Sequence, residues 1–381
     1  MLIYFSVLIF IYCYWILWLY YHWQQIPEVN IENKPSFERI FFSIVIPVRN
    51  EAENIQKLLN DIAQQSFPAN QFEVIVIDDD STDQTCDIVS TSVFQYALTV
   101  ISLAEPENFL GSHKKLAISQ AILKTKNQPD LLHIILTTDG DGRVGCDWLK
   151  AYAETFATQQ PRLVSGPVTF HDEKTLFEKL QTIEFSSLIG TGAASIQAGS
   201  PNMCNGANLA FSKVAFQEVG GYAGNMDQPS GDDEFLMRKI YEHYPDKIVF
   251  LKDPRSIVHT CAQKNLRSFY HQRRRWAGKW RAHKNWKAGA LAVFVFVFYM
   301  SLLLTMTLTM IGLYPKKIFL LQMGAKLLCE FLFLNAVMSF LGKTLHIGMF
   351  MLLQLIYPFY AIFFGVAAHL GSYHWKGRRY Q

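Results

Sequence analysis

The chain has 381 residues, half of them hydrophobic, with 35 Lys and Arg against 32 Asp and Glu and a formal net charge of +3. That length holds one α/β domain of about 250 residues plus further elements. The apolar share exceeds that of a typical soluble enzyme, so membrane segments are expected, and so small a net charge gives no ground for a nucleic-acid partner. The six cysteines (Cys13, Cys86, Cys146, Cys204, Cys261 and Cys329) contain no C-x-x-C pair. This argues against a zinc site or a disulfide scaffold and leaves buried or free thiols in a reducing compartment.

Residues 2–23 carry no Asp, Glu, Lys or Arg and are long enough to span a bilayer core of roughly 30 Å. No basic stretch precedes them, and they end in Trp15, Trp18, Tyr20, Tyr21 and Trp23. An aromatic belt of this kind marks a membrane interface, so residues 1–23 read as an uncleaved anchor rather than a signal peptide. Residues 24–40, with Pro27 and Pro35, form a polar linker.

Residues 41–287 read as an α/β domain. Three β-branched or apolar runs, 42–47, 72–77 and 132–136, have the length and composition of buried strands. After the first, Asn50 is placed to cap a helix with Glu51 and Glu53 in its first turn and apolar residues at Ile55, Leu58, Leu59 and Ile62. Strand, helix and strand at this spacing predict a parallel sheet with right-handed crossovers. Such sheets bind ligands beyond the carboxyl ends of their strands, where two acidic clusters lie. Residues 176–198 are weakly amphipathic and suit either a membrane interface or a core helix.

Three acidic clusters are candidates for chemistry. Asp139 and Asp141 flank Gly140 at a strand end. They suit Mg²⁺ or Mn²⁺, which takes one or two carboxylates plus phosphate oxygens, although an Asp-Gly turn is a common structural feature. Asp78, Asp79 and Asp80 precede Ser81, Thr82 and Asp83. A buried member could accept an N–H from a nucleobase, while helix capping is the plainer explanation. Asp232, Asp233 and Glu234 open a helical run, where acids are electrostatically favoured and where a carboxylate can serve as general base. Lys114 and Lys115 follow Gly111 and could reach phosphate or be solvated.

Three apolar blocks, 288–313, 318–341 and 347–370, make residues 288–371 a region of about three spans, followed by a basic tail, 372–381. Lys326 and Glu330, four apart in the second block, are expected to satisfy one another. The basic run 272–281 lies just before the first block, which places the α/β domain in the cytoplasm by the positive-inside rule. Three spans would put Lys376, Arg378 and Arg379 on the far side, a conflict the sequence leaves open.

Six segments in order resemble glycosyltransferase family 2 across about residues 41–281. These are SIVIPVRNEAENI (43–55), VIDDDSTDQT (76–85, with Asp80 where Gly is usual), TTDGD (137–141), CNGANLAF (204–211), GDDEFL (231–236) and QRRRW (272–276). The last is similar to the Q-x-x-R-W pattern of membrane members such as polysaccharide synthases and ceramide glucosyltransferases. The resemblance implies a GT-A fold and an inverting single displacement from a nucleotide diphosphate sugar, with uridine the favoured base and guanosine open. It puts Pro47 and Glu51 near the nucleoside, Asp79 on the base, and Asp139 on the ribose or sugar side. Asp141, beside Asp139, would bind the divalent metal. Asp233 would be the general base, preceded by Asp232 where Glu is more usual. Gln272 and Arg275 would hold the diphosphate, with Trp276, Asn205 and Gly206 towards the acceptor, a lipid or saccharide. An integral protein of a bacterial inner membrane is expected, adding one sugar per acceptor. A processive synthase and a non-catalytic partner of such a system are the alternatives.

Overall fold

The computed structural model describes residues 2–28, 37–106, 109, 111–228, 230–282, 286–367, 373–375 and 378–380. They form two compact units: one of residues 26–172 and 195–261, the other of 1–25, 173–194 and 262–381.

The first unit is α/β. In chain order it contains β1 (Ile40–Val48), α2 (Ile55–Ala63), β2 (Phe72–Asp78), α3 (Thr85–Thr91), β3 (Ala97–Ser102), α4 (His113–Lys124), β4 (Leu132–Thr137), α5 (Trp148–Gln159), β5 (Leu163–Ser165), β6 (Val168–His171), β7 (Leu209–Ser212), α7 (Lys213–Glu218), α8 (Asp232–His243), β8 (Ile248–Phe250) and β9 (Val258–Cys261). Seven strands make one sheet in the order β3-β2-β1-β4-β7-β5-β8, and β6 pairs with β9 separately. The predicted strands are all present. β1 runs parallel to β2 and to β4, while β7 is antiparallel to β4 and β5. The sheet is therefore mixed but mostly parallel. Every β1 residue except Pro47 is buried, as befits a central parallel strand covered on both faces. The register pairs Val48 with Asp78 and Val45 with Thr137, so the loops after β1, β2 and β4 emerge along one edge.

The expected Asn50 cap is not made. α2 begins at Ile55 with Asn54 at its N-cap, so Glu51 and Glu53 precede the helix. Asn50 takes a left-handed φ of 54°, and its Oδ1 accepts from the backbone N of Thr82 at 2.8 Å. The side chain joins two loops instead of closing a helix end.

The second unit is helical: α1 (Leu2–Gln25), most of α6 (Leu176–Gln197), α9 (Leu266–Ala282), α10 (Trp286–Met310), α11 (Lys316–Phe340) and α12 (Ile347–Ala367), with two short terminal strands, β10 (Tyr373–Trp375) and β11 (Arg378–Tyr380). Among the described residues four helices are long and apolar enough to cross a membrane: Leu2–Gln25, Gly289–Met310, Lys316–Phe340 and Ile347–Ala367. Of the two settings open to α6, this unit supplies a core: Ile183 packs with Leu334, Met338, Leu345, Phe350 and Leu353. Lys326 and Glu330 pair at 2.8 Å within α11, both buried. Lys326 also donates to Gln354 Oε1 at 2.5 Å, and the Tyr12 hydroxyl donates to Glu330 and lies 3.2 Å from that of Tyr299. One ion pair thus joins side chains of α1, α10, α11 and α12, which satisfies charges that would otherwise be costly in an apolar bundle.

Candidate active site

The loops after β1 and β2 are laced together. Asp79 N donates to Val48 O at 2.9 Å, and Arg49 Nη1 donates to Asp79 O. Asn50 N donates to Ser81 Oγ at 3.0 Å, Glu51 N to Thr85 Oγ1 at 2.8 Å and Ala52 N to Asp83 Oδ2 at 3.1 Å. The three adjacent aspartates then separate by role. Asp78 turns inward and accepts from the backbone N and the hydroxyl of Ser81. Asp79 is 7% exposed, with its backbone pinned on both sides. Asp80 is exposed, with a φ of 58°. Glycine adopts that conformation freely and Asp tolerates it, which explains how Asp stands where the family usually has Gly. Pro47 is half-buried near the end of β1.

The next loop, after β4, carries Asp139, Gly140 and Asp141. A Cβ on Gly140 would meet Glu51 Cγ and Val48 Cγ1, each at 3.0 Å, so Gly140 lets this loop lie against the β1 loop. Asp141 Oδ2 accepts from the Thr260 hydroxyl of β9 at 2.7 Å. Asp139 Oδ1 accepts from Lys114 Nζ of α4 at 2.7 Å, and Lys114 Nζ lies 3.4 Å from Asp232 Oδ2. Two acidic clusters more than ninety residues apart therefore meet on one ammonium. Burial alone would lower the Lys114 ammonium, but Asp139 and then Asp232 outweigh it and hold it above the ordinary lysine range.

Asp232 and Asp233 sit in the first turn of α8, where the helix dipole favours carboxylates. Asp233, 7% exposed, accepts from Gly206 N through Oδ2 at 3.1 Å and from Glu234 N through Oδ1 at 2.8 Å. A Cβ on Gly206 would stand 2.8 Å from Asp232 Oδ2 and 3.4 Å from Lys114 Nζ, so glycine is what allows this approach. Asn205 Oδ1 accepts from Ala207 N at 3.0 Å, shaping the same turn.

That turn is anchored by a residue the sequence reading passed over. Asn208 is fully buried, and its Nδ2 donates to the carbonyls of Pro167 and Ser256, both at 2.8 Å. Its Oδ1 accepts from Trp148 Nε1 at 3.0 Å and from the Tyr152 hydroxyl at 2.8 Å. Thr137 Oγ1 adds a bond to Gly206 O at 2.9 Å. The polar character of Asn208 just before an apolar strand was the only available signal. Thr260 had none.

Lys115, grouped with Lys114 at the outset, is fully buried and donates to the carbonyls of Asn225 and Gln228 at 2.7 and 2.9 Å, with its ammonium 4.8 Å from the Phe235 ring centre. Its observed contacts hold the segment leading to α8. Gln272, Arg275 and Trp276 lie on α9 of the helical unit. There Arg273 donates to Gln272 Oε1 at 2.7 Å, pairs with Glu184, and places its guanidinium 4.2 Å from the Trp276 ring centre. Phe185 stacks on Trp276, with ring centres 5.8 Å apart.

Among the described residues no group of three or more His, Cys, Asp or Glu side chains converges as a metal cage. Asp139 and Asp141 nevertheless present hard oxygens on a strand-end loop, and the Asp139 side chain is 42% exposed. That donor set fits Mg²⁺ or Mn²⁺, which binds through one or two carboxylates and completes its shell with substrate phosphate and water.

The sequence profile described as "Glycosyl transferase family 2" matches residues 43–220, and that of "Glycosyl transferase family group 2" matches residues 134–367. Glycosyltransferase AglE of Haloferax volcanii is 33% identical over 130 residues, 34% of this chain and 40% of the relative. The poly-beta-1,6-N-acetyl-D-glucosamine synthase of Staphylococcus aureus is 24% identical over 276 residues, 71% of this chain and 62% of the relative. The matched parts thus span less than two thirds of either relative's length. Among solved structures, the mannosyltransferase PcManGT from Pyrobaculum calidifontis in complex with GDP-Man and Mn²⁺ shares the fold. Its TM-score is 0.56 at 18% identity, over 97% of this chain and 96% of that one. With one family profile covering more than half of the sequence and a GT-A sheet carrying acidic loops on a single edge, the chain belongs to glycosyltransferase family 2.

Proposed function

We propose that the protein transfers a sugar, with inversion, from a nucleotide diphosphate sugar to a hydroxyl of a lipid or saccharide acceptor, working at the cytoplasmic face of a bacterial inner membrane. The observation that carries this reading is the Lys114 ammonium between Asp139 and Asp232, which joins the donor-side acid after β4 to the base-side acid in the first turn of α8. Asp79 accepts an N–H of the base, with uracil favoured, and Pro47 and Glu51 flank the nucleoside. Asp141 and Asp139 would hold Mg²⁺ or Mn²⁺, and the ion, when bound, would supply positive charge against the departing diphosphate. Asp233 removes the acceptor proton as its oxygen bonds the anomeric carbon and the bond to phosphate breaks. Asp232 keeps Lys114 beside Asp139. Asn205 and Gly206 shape the acceptor side, Gln272 and Arg275 grip diphosphate, and Trp276 lines the acceptor path. Lys115 supports this arrangement by holding the segment that leads into α8. The four apolar helices and the basic run on α9 favour a membrane acceptor and a cytoplasmic site.

Donor hydrolysis by the detergent-purified protein, with Mn²⁺ or Mg²⁺ and a panel of UDP- and GDP-sugars, tests the reading. Nucleotide release from one donor is expected, abolished by EDTA and reduced by about 10²-fold or more in Asp141→Ala, the range for losing one electrostatic stabiliser of developing charge. Release indifferent to EDTA and to Asp141→Ala rejects the metal role. Absence of donor binding across the panel, with membrane lipid extract added, moves the assignment to a non-catalytic partner. The likeness to a polysaccharide synthase favours one second reading, processive extension. Products of increasing length on a labelled acceptor would establish it, whereas single additions are expected.

Gly206→Ala gives a finer test, because its Cβ would stand 2.8 Å from Asp232 Oδ2. Turnover is expected to fall about tenfold by misplacing the acid pair. A melting temperature within about 2 °C of the parent is expected alongside, since only a side-chain end must move. Unchanged turnover would separate Asp232 from the chemistry.

A further inference from the structure

A second constellation lies on the two-stranded sheet of β6 and β9. The parallel register sets His171 opposite Cys261, and His171 Nε2 lies 3.7 Å from Cys261 Sγ. On its other nitrogen, His171 Nδ1 is 2.9 Å from Asp172 Oδ2. A carboxylate at Nδ1 accepts that N–H and fixes the tautomer, which leaves Nε2 as an acceptor facing the thiol. Asp172, just after β6, takes a left-handed φ of 55°. Nucleophile, base and orienting carboxylate in hydrogen-bonded series are the signature of an activated thiol. None of the three takes part in the transfer chemistry proposed above. Cys261 and His171 are both half-buried, so small reagents have access without the thiol being a bare surface group.

We propose that Cys261 is a reactive modification site for soft electrophiles, with His171 as its base and Asp172 as the orienting residue. In the reaction with an alkyl halide, the Cys261 proton passes to His171 Nε2. The sulfur forms a bond to carbon, and the carbon–halogen bond breaks with its electron pair leaving as halide.

The test is limited alkylation of the full-length, detergent-solubilised protein with iodoacetamide at pH 7, read cysteine by cysteine by peptide mass spectrometry. Cys146 is the more exposed thiol and serves as internal reference. Cys261 is expected to react about tenfold faster than Cys146, because reactivity follows thiolate character rather than exposure alone. His171→Gln is expected to bring Cys261 down to the Cys146 rate or below, with the Cys146 rate unchanged as the sign of an intact fold. Asp172→Asn, which leaves the imidazole in place, is expected to slow Cys261 by a smaller factor and covers the case in which His171→Gln disturbs folding. Cys261 reacting no faster than Cys146, or equally fast with and without His171, overturns the proposal. Donor hydrolysis is not the readout, so its failure and this one are distinguishable.

Discussion

Asp233→Asn is expected to lower sugar transfer by about 10³-fold, within the range for a lost general base, while donor affinity stays within about twofold because binding and proton removal are separate roles. Both Asp233 oxygens already accept a backbone N–H, from Gly206 and from Glu234. Those bonds orient the carboxylate for a substrate proton. An amide can keep only one of the two, since its Nδ2 must face a donor at the other. A stability loss of about 1 kcal/mol is therefore expected as well, the worth of one such bond. Turnover by nucleotide release, donor affinity by calorimetry and melting temperature together separate these effects. Near-normal turnover would remove Asp233 as the base. Asp232→Asn is the companion variant: its carboxylate faces the Lys114 ammonium at 3.4 Å, so the damage is expected in donor handling, as a raised KM, more than in proton removal.

Asn208→Leu is expected to be the most destabilising single change in the α/β unit. It deletes four side-chain hydrogen bonds at once and strands the Ser256 carbonyl and Trp148 Nε1 in a fully buried setting, while the Pro167 carbonyl keeps its bond from Val258 N at 3.0 Å and the Tyr152 hydroxyl keeps the Asn208 carbonyl at 3.4 Å. Unsatisfied buried groups cost about 1–3 kcal/mol each. With partial relaxation, a loss of about 4 kcal/mol is expected, at the upper end for a point substitution. That corresponds to a fall in melting temperature of about 8–16 °C for a unit of this size. Asn208→Asp is the informative comparison, because it keeps the two acceptor contacts and loses the two donations. It should be damaging as well, since it sets a carboxylate oxygen against two carbonyls in a dry site. A melting temperature within about 2 °C of the parent for Asn208→Leu would show that the turn is held elsewhere, for a loss that small lies within ordinary surface substitution.

The parts of the fold that could be read from residue order are those whose signal is local. β1, β2 and β4 are largely apolar runs, interrupted by Ser43, Glu73 and His133, because they are buried on both faces, and the acidic loops follow β2 and β4 directly. β5, β7 and β8 are three or four residues long, too short to show a periodicity. Nor does any local pattern mark where the chain leaves the α/β unit at Glu173 and returns at Ser195. At the candidate site, Asp139 and Asp232 stood out as members of clusters, and Lys114 as one of two neighbouring lysines. That Lys114 joins them, while Lys115 turns to the Asn225 and Gln228 carbonyls, depends on which side of α4 each occupies. Asn208 and Thr260 were silent for a similar reason. Their partners lie 41 to 60 residues away for Asn208 and 119 away for Thr260, and nothing in their immediate neighbours records them. Asn50 shows the opposite failure: its local capping signal was strong, but a left-handed backbone aimed the side chain at Thr82.

The buried ion pair of α11 has a consequence for how the polypeptide enters a bilayer during synthesis. Lys326 and Glu330 make α11 the least apolar of the four long helices, and a central charge lowers a segment's insertion by about 2.5–3.5 kcal/mol. The hydroxyls that meet Glu330 and its neighbour, on Tyr12 and Tyr299, belong to α1 and α10, both of which leave the ribosome earlier. On the proposed membrane reading, α11 is delivered to partners already resident in lipid. Gln354 of α12 then arrives last and caps the Lys326 ammonium. On that reading, order of emergence would add to hydrophobicity in carrying the charged segment across.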